Sequence, residues 1–444
     1  MVTTKKPIKG IPQLLTRVTS HNSSKKKKIV TSQNTHLRHP LVRWKMSQST
    51  VFRRRMNLHL PDEIVLEILT RLPVNSLLRF RCVCKTWYSY ITNPNFISTH
   101  LSSLLSHNHG CLIYMRRTFP RNYSSSPPTL VACDRTFERV SEFRIPFTFQ
   151  SVSSRLVGSC NGILCLTDYI VSEFNGVYLW NPSIRKFKKL PDTCLSWLHH
   201  PKLGFGYDSL NNDYKVVRIS WSRVKDMMPP LEVEVYTLSL DSWKRIGFGI
   251  PWRPNVVFWE IKCFLPSPFV SEHLHWMILY AEDRGGRERR STHMILSFDV
   301  NSEKFKELPL PADEGSCCVI YLTSFKGKLA LIKLRYGVQS RDTLCSIWVM
   351  REYGLFDSWN KLCVVPFEST SNIIGFTNYD LLLIRKRLRL VSTNNELERE
   401  DKSVLIDPET LHENEISIPV DIYLDLATHM ESLALLDGEN VVSY

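Results

Sequence analysis

Val177-Tyr178-Leu179-Trp180 is followed, across a polar turn, by Phe187-Lys188-Lys189-Leu190. The same layout returns three times. Val233-Glu234-Val235-Tyr236 precedes Trp243-Lys244-Arg245-Ile246, and Ile295-Leu296-Ser297-Phe298 precedes Phe305-Lys306-Glu307-Leu308. Ile347-Trp348-Val349-Met350 precedes Trp359-Asn360-Lys361-Leu362. Six residues separate the paired aromatics in the first three copies, and eight separate Met350 from Trp359 in the fourth. Each copy reads as a strand, a polar turn and a returning strand that opens on an aromatic. A weaker fifth copy is Val404-Leu405-Ile406-Asp407-Pro408.

The opening strands begin at 177, 233, 295, 347 and 403, in steps of 56, 62, 52 and 56. Ahead of most of them lies another strand-like run: Gly162–Leu166, His275–Ile278, Lys328–Ile332 and Leu381–Ile384. Two hairpins per unit give four strands per unit. Propeller blades have four strands and repeat at roughly 40–50 residues, so loop insertions account for the longer steps. The expected fold after residue 150 is an all-β, propeller-like array of five or six blades. An irregular pair of β-sandwiches stays open as the alternative. The hairpin aromatics are read as packing one blade on the next, not as a ligand cage.

The chain before this region is built differently. At Leu60-Pro61-Asp62-Glu63, proline and two acids suit a helix start. Ile64, Val65, Ile68, Leu69 and Leu72 then share one side of a helical wheel, with Glu63, Glu67, Thr70 and Arg71 on the other. Pro73 ends that helix, and Asn75 or Ser76 is the expected cap of a second. In the second, Leu77, Phe80, Val83, Cys84, Trp87, Tyr88 and Ile91 share an arc, and Asn93-Pro94 reads as a stop. Residues 58–101 are too few for a core of their own, which usually takes about 70 residues or more. A partner helix is a natural cover for the apolar side.

Charge places one further boundary. Residues 1–55 hold fourteen of the 57 basic residues and no acid, so 43 basic residues face all 43 acids in the remainder. The net charge of +14 therefore belongs to the head, which argues against a nucleic-acid-binding body. The head is Ser- and Thr-rich and carries Lys25 to Lys28. A solvated tail, a nuclear localisation patch, an organelle transit peptide and translation from Met46 or Met56 are all open readings. No run approaches about 18 apolar residues, as a membrane-spanning helix requires. Twelve cysteines spread along a long chain suit a reduced compartment, here the cytoplasm and/or nucleus.

Leu60-Pro61-Asp62-Glu63-Ile64, Ile68-Leu69, Leu72-Pro73, Leu77 and Arg81-Cys82-Val83-Cys84-Lys85-Thr86-Trp87 together resemble an F-box. That resemblance implies docking on a Skp-family adaptor and, through it, cullin and RING subunits of an SCF ubiquitin ligase. The adaptor-facing set it implies is Leu60, Pro61, Ile64, Ile68, Leu72, Leu77, Val83 and Trp87. Trp87 has the alternative of closing the module's own small core. After residue 150, Cys160-Asn161-Gly162-Ile163-Leu164-Cys165, Trp180-Asn181-Pro182-Ser183, Gly204-Phe205-Gly206-Tyr207-Asp208 and Asp213-Tyr214-Lys215-Val216-Val217 resemble the kelch-related F-box-associated domain of plants. Further matching blocks extend to Met430-Glu431-Ser432-Leu433, although the double glycine of regular kelch repeats is missing. Within that family the chain looks most like the S-locus F-box subgroup, which acts in pollen on stylar ribonucleases.

The expected organisation is a basic extension at 1–55, an F-box at 56–102, a connecting strand and linker at 103–149, and a substrate-binding β-domain at 150–444. The expected role is a non-catalytic receptor that presents a target protein for ubiquitination. The alternatives are the pollen role and a non-ligase binding module. Neither metal nor cofactor is expected: Gly204-Phe205-Gly206 lacks the third glycine of a dinucleotide loop, and no Cys-x-x-Cys or Gly-x-Ser-x-Gly occurs. Target contacts are expected on blade loops, with Trp252, Trp259, Arg287 and Arg289 as candidates. A membrane or direct nucleic-acid partner is not expected.

Overall fold

The computed structural model describes residues 60–107, 110–116, 129–134, 137, 139–149, 154–168, 176–193, 201–220, 231–251, 256–262, 265–282, 290–311, 318–336, 342–368, 371–391, 397–416, 424–434 and 441–444. The basic head, the Arg117–Leu130 loop up to residue 128, and Trp252, Arg287 and Arg289 fall outside them.

Four helices open the described chain: α1 (Asp62–Thr70), α2 (Val74–Phe80), α3 (Lys85–Ile91) and α4 (Pro94–His107). Pro61 stands at the α1 N-cap, and Asp62 and Glu63 fill its first turn. The expected single second helix is broken at residues 81–84, because extended Cys84 caps α3 and its Sγ accepts the Trp87 N–H at 3.4 Å. Neither Asn75 nor Ser76 caps α2; Pro73 holds that place. Asn93-Pro94 both ends α3 and starts α4, where Asn93 Oδ1 accepts the Asn95 N–H at 2.8 Å.

The rest is six sheets. β1 (Cys111–Arg116), β2 (Thr129–Cys133) and β3 (Arg139–Arg144) belong to the first. β4 (Ser154–Cys160), β5 (Ile163–Asp168), β6 (Val177–Asn181) and β7 (Lys186–Lys189) form the second. β8 (Lys202–Asp208), β9 (Asp213–Ser220), β10 (Glu232–Thr237) and β11 (Ser242–Ile246) form the third. The fourth holds β12 (Val256–Lys262), β13 (Phe269–Val270), β14 (His273–Glu282), β15 (Arg290–Asp299) and β16 (Lys304–Leu308). The fifth holds β17 (Cys318–Phe325), β18 (Lys328–Tyr336), β19 (Asp342–Met350) and β20 (Trp359–Glu368). The sixth holds β21 (Asn372–Phe376), β22 (Leu382–Val391), β23 (Leu397–Ile406) and β24 (Glu413–Ile416). The chain then returns. β25 (Leu424–His429) pairs with β1 and completes the first sheet, and β26 (Val441–Ser443) adds to the edge of β7.

This is a six-bladed β-propeller. β25, β4, β8, β14, β17 and β21 touch in turn and close a ring. An apolar cluster fills each of the six joints between neighbouring blades. Strand alternation explains how one blade serves two joints. On β1, Leu112 and Tyr114 pack toward blade six, while Ile113 and Met115 pack toward blade two. The sandwich alternative falls with that closure. The segment read as a connector, 103–149, instead supplies three strands of blade one. Its hairpin, β2–β3, carries no aromatic pair at the turn, where Cys133 faces Arg139 across a shifted register, and so shows no repeat in the sequence.

The aromatic spacing resolves into register. Trp180 faces Phe187, Tyr236 faces Trp243, Phe298 faces Phe305, and Met350 faces Trp359 as direct cross-strand partners. The two extra residues of the fourth copy lie in a hairpin holding the 3-10 turn Phe356–Ser358. The fifth copy keeps the six-residue gap, with Ile406 facing Glu413. Arg185, Asp241, Glu303 and Leu411 hold one equivalent place in four of these hairpins, each at positive φ between 48° and 58°. That left-handed place normally favours glycine, so its occupation by other residues hides the turn from a sequence scan.

Candidate functional site

The helical module divides its apolar residues between two sides. Leu69, Val74, Leu77, Ile91 and Phe96 are buried together, and Leu433 from beyond β25 is buried with them. Ile184, from the β6–β7 hairpin, also packs on this core. The module thus completes its interior with propeller residues, as its short length requires. Buried His100 fixes α4 against the end of α1, its Nε2 lying 2.8 Å from the Leu72 carbonyl oxygen. The Asp62 carboxylate, hydrogen-bonded to the Tyr90 hydroxyl, raises the pKa of that phenol and ties α1 to α3.

The other side carries Leu60 (53% exposed), Ile64 (43%), Ile68 (47%), Val83 (64%) and Tyr88 (54%). Pro61 is exposed beside them. Leu72 and Trp87 are half-buried against the core, where Trp87 meets the Phe80 ring at 5.1 Å. Leu77 is a correction: with no exposed surface, it belongs to the interior and cannot face a partner. Tyr88 lay on the same sequence arc and was not singled out. Ile184 and Leu433 were missed because a lone apolar residue in a loop carries no periodic signal.

The chain direction separates two rims of the propeller. Leu433, Ile184 and the hairpins joining β4 to β5 and β6 to β7 lie on the rim beside the helices. There a Cβ on Gly162 would fall 2.6 Å from the Met430 carbonyl oxygen. By strand alternation, the ends of the two middle strands of every blade lie on the opposite rim: 116/129, 168/177, 220/232, 282/290, 336/342 and 391/397. The segment holding Arg287 and Arg289 joins two of these ends. Trp259 is a backbone position of β12, opposite Tyr280, so the structure does not gather the four target candidates into one site. A shallow cleft on this rim is lined by Arg155, Asp168, Pro201, Lys202 and Ser267 among others. Beside it, buried Asp425 accepts the Leu156 N–H at 3.1 Å and lies 3.5 Å from Arg155.

Titratable groups inside the ring serve as joints. His275 is buried, with Nδ1 3.1 Å from the Pro268 oxygen and Nε2 2.7 Å from the Tyr353 hydroxyl. Burial depresses the imidazole pKa to about 3 and pushes the Tyr353 phenol up to about 12. Ser297 Oγ lies 2.8 Å from that hydroxyl, so three neutral groups link blades four and five. Lys215 Nζ lies 2.7 Å from Asp208 and 2.9 Å from Glu303, a charged link between blades three and four. Among the described residues, no group of three or more His, Cys, Asp or Glu is placed to hold a metal ion.

Comparison with known proteins agrees with this division. Residues 57–99 match the F-box domain, and residues 111–418 match the F-box associated beta propeller domain. An F-box/kelch-repeat protein of Arabidopsis thaliana is 27% identical over 69% of this chain and 80% of its own length. Another Arabidopsis thaliana F-box protein is 29% identical over 68% of this chain and 71% of its own. The F-box protein CPR1 of the same plant is 27% identical over 76% and 80%.

Proposed function

The chain belongs to the plant F-box proteins that carry an F-box associated β-propeller domain, and from that premise we propose that it is the substrate-receptor subunit of an SCF-type ubiquitin ligase. What supports the reading is one observation: among the described residues, Pro61, Ile64, Ile68, Val83 and Tyr88 expose apolar surface, with Leu60 53% exposed beside them, on a module whose buried core is completed from the propeller. A Skp-family adaptor covers that side, and the rim opposite the helices holds the target. The receptor does no bond chemistry. It raises the effective concentration of target lysines at a ubiquitin-loaded conjugating enzyme, the gain available to any tethered reaction.

The test is capture of a purified plant Skp-family adaptor by the full chain. Ile64→Glu with Ile68→Glu is expected to weaken capture more than about 100-fold, as for central apolar anchors of an interface. Both side chains are exposed, so the thermal midpoint should hold, with a cost within about 0.5 kcal/mol per site. A folded wild-type chain that captures no adaptor refutes the proposal.

A further inference from the structure

The helical module spreads its charge unevenly. Between residues 60 and 107 the acids are Asp62, Glu63 and Glu67, all on α1, and the Lys and Arg residues are Arg71, Arg79, Arg81 and Lys85. Glu67 holds Arg71 at 2.6 Å. Asp62 holds the Tyr90 hydroxyl, five residues and about 7.5 Å along α3 from Lys85. Arg79, Arg81 and Lys85 have no side-chain ion pair or hydrogen bond among the described residues. Arg79 and Lys85 are exposed, and Arg81 is half-buried.

The chain folds these three cations around Val83. The Cys82 N–H donates to the Arg79 carbonyl oxygen at 3.1 Å, and the Val83 N–H to that of Phe80 at 3.0 Å. Turns of this kind bring residues three apart within about 7 Å. Cys84 is extended, with φ −153° and ψ 161°, and an extended residue leaves its two neighbours, here Val83 and Lys85, on one side. Lys85 also opens α3, the end at which a helix dipole disfavours a cation. Three like charges thus stand within seven residues with no acid to relieve them. Val83, at 64%, is more exposed than Leu60, Ile64, Ile68 or Tyr88. A partner that covers Val83 also takes water from Arg79 and Lys85. A cation desolvated without a counter-charge is costly, so the cover must bring carboxylates.

We propose that Arg79, Arg81 and Lys85 form a second docking element, which takes an acidic segment of the adaptor beside the exposed apolar side. That the segment belongs to the adaptor rests on the receptor reading above; that it is acidic rests on these side chains.

The test measures association and dissociation rates of the full chain with a purified plant Skp-family adaptor at about 50 and about 500 mM salt. Wild-type association should slow at least about tenfold across that range. Arg79→Glu with Lys85→Glu should slow association at low salt at least about tenfold and flatten the salt dependence, with Arg79→Gln and Lys85→Gln together falling between. Lys304→Glu with Lys306→Glu, on β16 of blade four, changes the net charge equally and should leave the rates within about twofold of wild type. Carbodiimide coupling should join Lys85 to an aspartate or glutamate of the adaptor, and reversing that acid to lysine should restore association of the Glu variant. Association of both F-box variants at the wild-type rate overturns the proposal. An equal loss in the blade-four variant also overturns it, assigning the effect to net charge, as does a lowered thermal midpoint in both F-box variants, which assigns it to folding. Adaptor captured with indifference to these charges removes only the cationic element. A folded wild-type chain that captures no adaptor removes the receptor reading itself, and binding of inorganic polyphosphate that is lost in the Glu variant then assigns the element to a free polyanion.

Discussion

Leu433→Ala should loosen the F-box without opening the propeller. Leu433 is 4% exposed and packs among Leu69, Val74, Leu77, Ile91 and Phe96. Truncating a buried leucine to alanine costs about 2–5 kcal/mol, more where the site cannot collapse. Here the surrounding residues belong to short helices, with Ile184 as the other packing residue from the propeller. A cost near 3 kcal/mol that falls on this module alone raises its local opening by about 100-fold. Amide exchange of protected positions such as Leu69 and Leu77 should therefore accelerate about 100-fold. Core strands of blades three and four, at Val217 and Ile295, should exchange as before. Adaptor affinity falls only by the fraction of molecules open, so exchange is the sharper readout. Val442→Ala, at a 45% exposed site on β26, is the control. Two results refute the reasoning. Unchanged F-box exchange means the helices are self-sufficient, and acceleration shared equally with the blades means Leu433 holds the ring rather than the module.

Gly162→Ala should be costly. A Cβ at that position, φ +81°, falls 2.2 Å from the Ser432 Cβ, and left-handed strain alone is worth about 1–3 kcal/mol, so the thermal midpoint should drop by several degrees. Deleting Tyr444 removes the hydroxyl that accepts the Trp180 N–H at 2.9 Å, and Trp180 has no exposed surface. Urea denaturation should show a loss of about 1–3 kcal/mol, the cost of an unsatisfied buried donor. Acid should destabilise the ring through two histidines, because burial depresses His275 to about 3 and His429 to about 4 from 6.5. Unfolded imidazoles take up protons that the folded ones refuse, so stability is complete above about pH 6.5 and declines toward pH 4, by up to about 1.4 kcal/mol per pH unit per group. Urea midpoints at pH 7 and pH 5 measure it, and His275→Gln should shrink the difference.

What the sequence disclosed follows from which contacts are local. The six-residue gap between Trp180 and Phe187 marks a hairpin because both partners of the cross-strand pair lie in one short window. The same gap between Ile406 and Glu413 passed as a weak copy, since neither residue is aromatic. Blade one gave no repeat at all, because its own hairpin, β2–β3, closes on Cys133 facing Arg139 across a register shift, without the aromatic pair that marks the others. The helical arc from Leu77 to Ile91 was legible, but the break at residues 81–84 was not: Cys84 acts there through a backbone cap that leaves the apolar period intact. The exposed and buried sides of the F-box could not be told apart by period alone. Ile68 and Leu69 are neighbours of equal hydrophobicity, one 47% and the other 2% exposed, and only the arrival of Leu433 and α4 decides which is interior.

That arrival has a consequence for how the two halves cooperate. β25 fills the innermost place of blade one, and Leu433 follows it by four residues. Between them, the Asn181 Nδ2 donates to the Ser432 and Ala434 carbonyl oxygens at 3.1 and 2.9 Å, so the same short segment is also pinned to blade two. One stretch thus closes the ring, fixes blade two and completes the F-box interior. If β25 leaves the ring, Leu433 leaves the F-box with it. The converse does not hold, since β25 keeps its six pairs with β1 when Leu433 is truncated. The coupling is therefore one-directional: ring opening removes the F-box core, whereas F-box loosening leaves the ring closed. Built this way, the chain offers the exposed apolar side of its F-box only from a closed propeller.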